Sequence, residues 1–469
     1  MQADEILQEI SDYCRRAGLA ESTFGRRAVN DGKLVSRLRD GGRITTVTLD
    51  RIRTFMHDSV PASRGVVIQR PIPPRPIISM PPAPLAEDEG DDPQKNFRFF
   101  DNRQKYLLFV NTCGEKSVIA NRVGMELGNI HPRPPALRVF DAGVGDATVL
   151  SRVMRAMHER YSTLPFYIVG KEISLEDVRL ALDKMADRFF EHPSTVLVLT
   201  NMYYSEAPWL TTHSREAASS MVWHELALTG NSAFSFESQI SALQPFLADN
   251  WKARVSPKSG NPVYERPVVL VIYRQDHRFL LDNIIPKRGA TDANYDLVMA
   301  SQPYRLRSSV DFKAKKVIAP LARALGPGGR MIGIHSRGDD PGQEIIQKVW
   351  PGDNPYTQDR HAILRAVKNE LGTAGRDLNF NAYADNRSIF RYDMHTLPSE
   401  ISAESGSSIG TSTLFAAWNA AIYVSQVEDD RLSAVVTDDR YLQATREVLQ
   451  KHGGLWFNDE SYVISRKRD

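Results

Sequence analysis

Cysteine is almost missing from this chain: Cys14 and Cys113 are the two thiols in 469 residues. Two thiols exclude a disulfide framework and a Cys-rich metal site, and they fit a reducing compartment. Long apolar runs are missing as well. No segment reaches the roughly 18 apolar residues that a membrane helix needs. The opening Met1-Gln2-Ala3-Asp4-Glu5 is acidic where a secretory leader is basic and then apolar. The expectation is a soluble cytoplasmic protein with no membrane partner. There is no surplus of one charge either. Lys and Arg number 59 against 57 for Asp and Glu, a net charge of +2. Global charge therefore names no partner, and any nucleic-acid signal must come from local clustering. Apolar residues at 42% and charged residues at 25% are ordinary for a globular protein, which excludes disordered and collagen-like chains. The length exceeds what one core usually holds, so two or three domains are expected.

Proline is the clearest organiser. Pro61, Pro71, Pro73, Pro74, Pro76, Pro81, Pro82, Pro84 and Pro93 punctuate residues 59–95, which close on the acids Glu87, Asp88, Glu89, Asp91 and Asp92. Proline lacks a backbone donor and favours extended chain, so 59–95 reads as a semi-rigid linker. It separates a small all-α head, residues 1–58, from an α/β body, residues 96–469. In the head, Ile6, Leu7, Ile10, Tyr13, Cys14 and Ala17 recur at helical spacing. Short helices follow at Ser22–Ala28 and Lys33–Arg39, around the turn Asn30-Asp31-Gly32, and a fourth follows with Thr48 as N-cap.

The body alternates strands with helices. Strands are expected at Leu137–Phe140, Phe166–Val169, Thr195–Leu199, Tyr295–Ala300 and Arg330–Ile334, with Ser174 capping the helix after the second. Such alternation predicts a doubly wound, mostly parallel sheet covered on both faces. Residues of about 203–292 interrupt the pattern and should form an insertion with structure of their own. Within it, Ser238–Trp251 reads as helix, and Val268–Tyr273 and Phe279–Ile285 read as strands.

The most informative segment is Val139-Phe140-Asp141-Ala142-Gly143-Val144-Gly145-Asp146-Ala147-Thr148. A strand runs into Asp-x-Gly-x-Gly and then into a helix. Glycines there turn the backbone sharply and let a ligand lie against it. Glu172, ending the next strand, is placed to accept both hydroxyl protons of a ribose. A nicotinamide enzyme and a purely structural turn are alternatives, although the usual Gly-x-Gly-x-x-Gly lacks this acidic start.

Asp141-Ala142-Gly143-Val144-Gly145 and Glu172 together resemble the first motif and the ribose-binding acid of class I, S-adenosylmethionine-dependent methyltransferases. The resemblance covers about residues 137–340 and implies a Rossmann-like methyltransferase sheet with S-adenosyl-L-methionine as cofactor. It implies that Asp141, Gly143, Gly145 and Glu172 contact that cofactor, with Asn201 or Met202 flanking its adenine. Ala147 departs from the pattern, standing where a third glycine is common. Ser301-Gln302-Pro303-Tyr304, after the fourth strand, looks like a degraded form of the Asn/Asp/Ser-Pro-Pro-Tyr/Phe motif of amino-group methyltransferases. Ser301 and Tyr304 match, as candidate catalytic residues that hold the acceptor, and Gln302 replaces the first proline. The other reading makes this a cofactor-side loop without direct chemistry.

The histidines show no ligand spacing, so no metal is expected. His335, after the fifth strand, is the best-placed base, or else a polar loop histidine. Trp209, Trp223 and Trp251 of the insertion are read as core before substrate pocket. In the head, Ser22 to Arg39 looks like the helix-turn-helix of phage-repressor-type regulators. Within 20–55, eight basic residues face four acidic ones. Lys33, Ser36, Arg37 and Arg39 would be the DNA-facing positions of a recognition helix. The alternative is a docking or dimerisation domain.

Three functions stay open: a methyltransferase with a DNA-binding head and an unidentified acceptor; a transcriptional regulator that senses S-adenosylmethionine or a related metabolite without turnover; and a DNA or RNA base amino-methyltransferase that flips its target. The expected partners are a methyl acceptor, duplex DNA through the head, and a second copy in a homodimer.

Overall fold

The computed structural model describes residues 2–17, 20–29, 31–39, 46–58, 103–257, 261–289, 292–395, 409–435 and 439–468. The proline-rich segment 59–95 lies outside the described residues. The chain divides into two compact units, Met1–Ala86 and Glu87–Asp469.

The first unit holds four helices, α1 (Gln2–Ala17), α2 (Glu21–Val29), α3 (Leu34–Arg39) and α4 (Thr46–Asp58). Their apolar stripes meet in one cluster around Ile10, Phe24, Leu34 and Ile52, each fully buried. Edge-to-face packing of Tyr13, Phe24 and Phe55 adds to that burial. Helix α4 begins at Thr46, so Thr48 lies inside its first turn and is not the N-cap.

The second unit is built on a sheet of ten strands. In chain order these include β1 (Leu137–Asp141), β2 (Phe166–Lys171), β3 (Thr195–Thr200), β4 (Val222–Leu228) and the separate short pair β5 (Ala253–Val255) and β6 (Pro262–Tyr264). Then come β7 (Val268–Arg274), β8 (Tyr295–Ser301), β9 (Leu325–Ser336), β10 (Leu378–Asn381), β11 (Ile389–Asp393) and β12 (Trp456–Arg466). Side by side the order is β10-β12-β9-β8-β1-β2-β3-β7-β4, with β11 also on β12.

Strands β3, β2, β1, β8 and β9 are all parallel. The chain winds outward from β1 to β3, then returns to start β8 on the other side of β1. That reversal is a topological switch point, where open α/β sheets open a crevice at their carboxyl ends. Strand β12 runs antiparallel between β9 and β10. The insertion extends the opposite edge: β7 pairs antiparallel with β3, and β4 parallel with β7.

Residues alternate between two cores. Leu137 and Val139 join one with α7 (Thr148–Arg160), while Phe140 joins the other. Strand β7 is buried at every position, as expected of a strand covered on both faces. The predicted strand Phe279–Ile285 is not one. Gln275–His277 form a 3₁₀ turn and Arg278–Leu281 a short helix, leaving Phe279 almost wholly exposed. The predicted helix Ser238–Trp251 is two, Ala233–Ser241 and Gln244–Asn250, the second carrying a proline in its first turn.

Candidate functional site

The site forms where β1 ends. Three backbone bonds fix the loop after it: Ala142 N–H donates to Met299 O, Val144 N–H to Lys171 O, and Ala147 N–H to Val144 O. The loop is thereby stitched to the ends of β8 and β2. Val144 lies over β2, and a methyl group added at Gly170 would come within 2.4 Å of its side chain, so β2 needs a glycine there. Gly145 is left-handed, with φ +52°. Ala147 is left-handed too, with φ 58° and ψ 17°. The backbone thus keeps a glycine-like shape at the position where this chain has alanine, at a cost of about 1–2 kcal/mol.

Gly143 is different. It is exposed, its φ is not positive, and a built Cβ would meet nothing closer than the Ser301 carbonyl oxygen at 4.0 Å. Space above the loop is therefore open at Gly143 and narrows at Gly145, where a Cβ would lie 3.5 Å from the Tyr106 hydroxyl.

Carboxylates surround this loop. Glu172 is buried, and its side chain is bonded on both oxygens. Oε2 accepts the Gly145 N–H at 2.8 Å, and Oε1 accepts the N–H groups of Ile173 and Ser174 at 2.8 and 2.9 Å. A carboxylate has about four lone-pair sites. Three are used, so Glu172 has room for one ligand hydroxyl, not for the two expected from its place at the strand end. Asp141 accepts the Gly143 N–H at 3.1 Å, and burial pushes its carboxyl up to about 7.

Asp146 goes the other way. Lys116 and Lys184 beside it, with the Thr148 hydroxyl, hold it well below the usual carboxylate range despite burial. Lys116 comes from α6 (Glu115–Gly124) and also donates to the hydroxyl of Tyr106 on α5 (Arg103–Thr112). Tyr106, Lys116 and Asp146 gather beside the loop, and although Asp146 falls within the glycine segment, nothing in the local sequence marks the other two. Tyr106 and Lys116 fall before residue 137, outside the family-like stretch.

Other expected contacts lie elsewhere. Asn201 and Met202 do not present side chains for an adenine. Asn201 Nδ2 donates to Arg266 O and its Oδ1 accepts the Val268 N–H, so this amide splices β3 to the start of β7. Met202 is fully buried in the core. Trp251 is buried too, and its Nε1–H donates to the Glu172 carbonyl at 3.1 Å. It braces the site from behind and does not line it.

Ser301 is half-buried beside Gly143. Tyr304 does not reach the crevice as a stacking ring. It is buried, and its hydroxyl bonds His335 Nδ1 at 2.8 Å and the Tyr462 hydroxyl at 3.3 Å. His335 in turn bonds Glu460 through Nε2 at 2.8 Å, and Glu460 holds Arg360. His335 is thus fixed at both nitrogens, inside the fold, and is not a free base. Beneath Tyr304 lies Lys313, buried without a carboxylate partner among the described residues. Its ammonium donates to Leu306 O and sits 5.0 Å from the Tyr304 ring, and burial pushes it down to about 8. Gln302 is left-handed with φ +46°. Its backbone N–H donates to Ile334 O, and its amide bonds Ser336 and the buried Asp459.

In the first unit, Lys33, Ser36, Arg37 and Arg39 are exposed, while Leu34, Val35 and Leu38 face inward. Arg37 pairs with Asp31 and Arg39 with Glu21. Among the described residues there is no group of three metal-ligating side chains, and no helix is long and apolar enough to cross a membrane.

No protein-family model and no curated relative matches the chain. Solved structures that it is similar to include a geranyl diphosphate methyltransferase in complex with GPP and sinefungin. That likeness has 11% identity over 75% of this chain and 78% of the other, with a TM-score of 0.27. Another is PKMT2 from Rickettsia typhi, at 11% identity over 74% of this chain and 52% of the other, with a TM-score of 0.22.

Proposed function

We propose that the second unit is an S-adenosylmethionine-dependent methyltransferase. The observation that carries this reading is the union of three features at one switch point. The glycine loop follows β1, open space lies over Gly143, and Glu172 at the end of β2 keeps one lone-pair site beside Gly145. A nucleoside hydroxyl fits that remaining acceptor, and the amino-acid part of the cofactor fits along Gly143 and Asp141. When bound, the cofactor supplies an activated methyl group, so the chain needs to position an acceptor more than to generate a strong base. Ser301, whose carbonyl faces Gly143, is the residue proposed to meet the acceptor. The commitment of Tyr304 to His335 and Tyr462 speaks against a flipped base stacked on its ring.

Titration calorimetry with S-adenosylmethionine and S-adenosylhomocysteine tests this. Glu172→Gln places an amide where backbone donors need an acceptor, and it should weaken binding by about 1.5–3 kcal/mol. Binding without transfer to any acceptor would favour the metabolite-sensing reading. Failure of the wild type to bind either compound would end both.

The first unit is proposed to contact duplex DNA through α3. The supporting observation is the division of that helix into a buried face and an exposed face bearing Ser36, Arg37 and Arg39, with the exposed Lys33 in the turn just before it. The exposed pairs of Arg37 with Asp31 and Arg39 with Glu21 are worth little in water, so phosphates can displace the acids. A homodimer would present two such helices.

A further inference from the structure

The end of the sheet opposite the glycine loop carries a row of bases. Strands β10, β12, β9, β8 and β1 stand side by side, and at the usual spacing they span about 19 Å. At this end the chain enters β10, β9, β8 and β1 and leaves β12. Arg376 precedes β10, Lys467 and Arg468 follow β12, and His131 and Arg133 precede β1. All five are exposed. Contacts join them: Lys467 Nζ donates to Arg376 O at 3.0 Å, and the Arg468 guanidinium donates to His131 Nδ1. Between these, Arg468 packs along the turn at Gly328, where a built Cβ would lie 3.0 Å from its Cγ.

Acids nearby do not answer this row. Asp377 pairs with Arg466 at 2.9 Å. Asp296 accepts the Arg138 N–H and is flanked by the guanidinium groups of Arg138 and Arg133. Asp292 and Glu370 are the exposed acids left at this end, and in sequence Asp469 follows Arg468. Arg376, Lys467 and Arg468 form no ion pair among the described residues. A guanidinium only donates, so at His131 two basic side chains touch with no carboxylate between them. The five bases lie outside the α-helices, so helix dipoles do not account for their placement. A polyanion would relieve the repulsion along the row. Duplex DNA carries one negative charge per about 1.7 Å of axis, so a 19 Å row faces on the order of ten. Residues 129–136, 372–377 and 466–468 contain no Phe, Tyr or Trp. Single strands are gripped by stacking on such rings, and membranes by an apolar face, so the row fits a duplex backbone.

We infer that this edge of the second unit contacts the phosphate backbone of duplex DNA through Arg133, Arg376, Lys467 and Arg468. The inference rests neither on the methyltransferase reading nor on the role proposed for α3.

The experiment is an anisotropy titration of the full chain with a short duplex of random sequence, across a range of salt. Arg376→Ala combined with Arg468→Ala should lower affinity about tenfold and reduce the salt slope by about 2, since each lost phosphate contact removes about 0.9. Both side chains are exposed, so the thermal midpoint should stay at the wild-type value. Lys33→Ala combined with Arg37→Ala should keep part of the salt-dependent binding, and adding the changes at Arg376 and Arg468 should remove that part. An unchanged slope in the Arg376 and Arg468 variant overturns the inference, as does complete loss of duplex binding in the Lys33 and Arg37 variant alone. A larger loss of binding to a single strand, or to anionic phospholipid vesicles, than to duplex also overturns it. Full duplex binding by the Lys33 and Arg37 variant, with loss in the Arg376 and Arg468 variant, upholds the inference and removes the role of α3.

Discussion

Gly143→Ala separates site from fold more cleanly than any other single change here. The substitution adds one methyl group. At Gly143 that methyl has no neighbour closer than 4.0 Å, and the backbone is not left-handed. Such a Gly→Ala change stabilises a protein by about 0.4–1 kcal/mol, because it restricts the unfolded chain. The thermal midpoint of Gly143→Ala should therefore equal or exceed that of the wild type. The same methyl lies where a ligand must rest against the loop. Displacing a bound ligand by even a few tenths of an ångström breaks its short polar contacts, and S-adenosylmethionine affinity should fall at least tenfold, about 1.4 kcal/mol. Two controls frame the result. Gly170→Ala drives a methyl to 2.4 Å from Val144 and should destabilise the fold by about 1–3 kcal/mol. Gly145→Ala forces alanine to φ +52° and should cost about 1–2 kcal/mol of stability. Calorimetry and differential scanning on the same preparations decide the matter. Wild-type affinity in Gly143→Ala would refute the placement of the ligand over this loop.

Further outcomes follow from groups away from the loop. Lys313 is pushed down to about 8 from 10.5, so the folded state binds fewer protons than the unfolded one between those values. Wild-type stability should rise relative to Lys313→Met as pH climbs from 8 to 10.5, by up to about 3 kcal/mol, read from urea unfolding of both proteins. A constant difference across that window would show that the ammonium is solvated. Replacing Lys33 and Arg37 together with alanine should weaken DNA binding and flatten its salt dependence in an anisotropy titration, leaving cofactor affinity unchanged. Equal DNA binding by the double variant would make the first unit a docking domain.

Much of the sheet was legible because its signals are local. The five parallel strands β1, β2, β3, β8 and β9 are short apolar runs bounded by polar turns, and the glycine loop announces the end of the first. The Ser174 cap was legible for the same reason: its hydroxyl accepts the Asp177 N–H three residues on. What escaped depends on contacts distant in sequence. Asn201 and Met202 follow β3 and resemble ligand-facing residues until β7 arrives, some 65 positions later, to bond with that asparagine. Tyr106 reaches Gly145 from a helix whose own pattern shows no sharp division of faces. The segment Phe279–Ile285 misled because short apolar runs, here Phe279-Leu280-Leu281 and Ile284-Ile285, suit both a strand and a short helical turn. The identity of Glu172 could be read from its position, but its remaining capacity could not, since that depends on where three backbone N–H groups point.

The left-handed backbone at Gln302 bears on how such a loop can change over evolutionary time. Proline is held near φ −65° and has no N–H. Gln302 stands at φ +46° and donates its N–H to Ile334. A proline at position 302 would thus not fit the loop as it stands. It would cost a bond to β9 and demand that the peptide flip across a forbidden region. A replacement at this position that keeps the loop must tolerate a left-handed backbone and retain an N–H, which makes glycine, asparagine and aspartate the readiest substitutes.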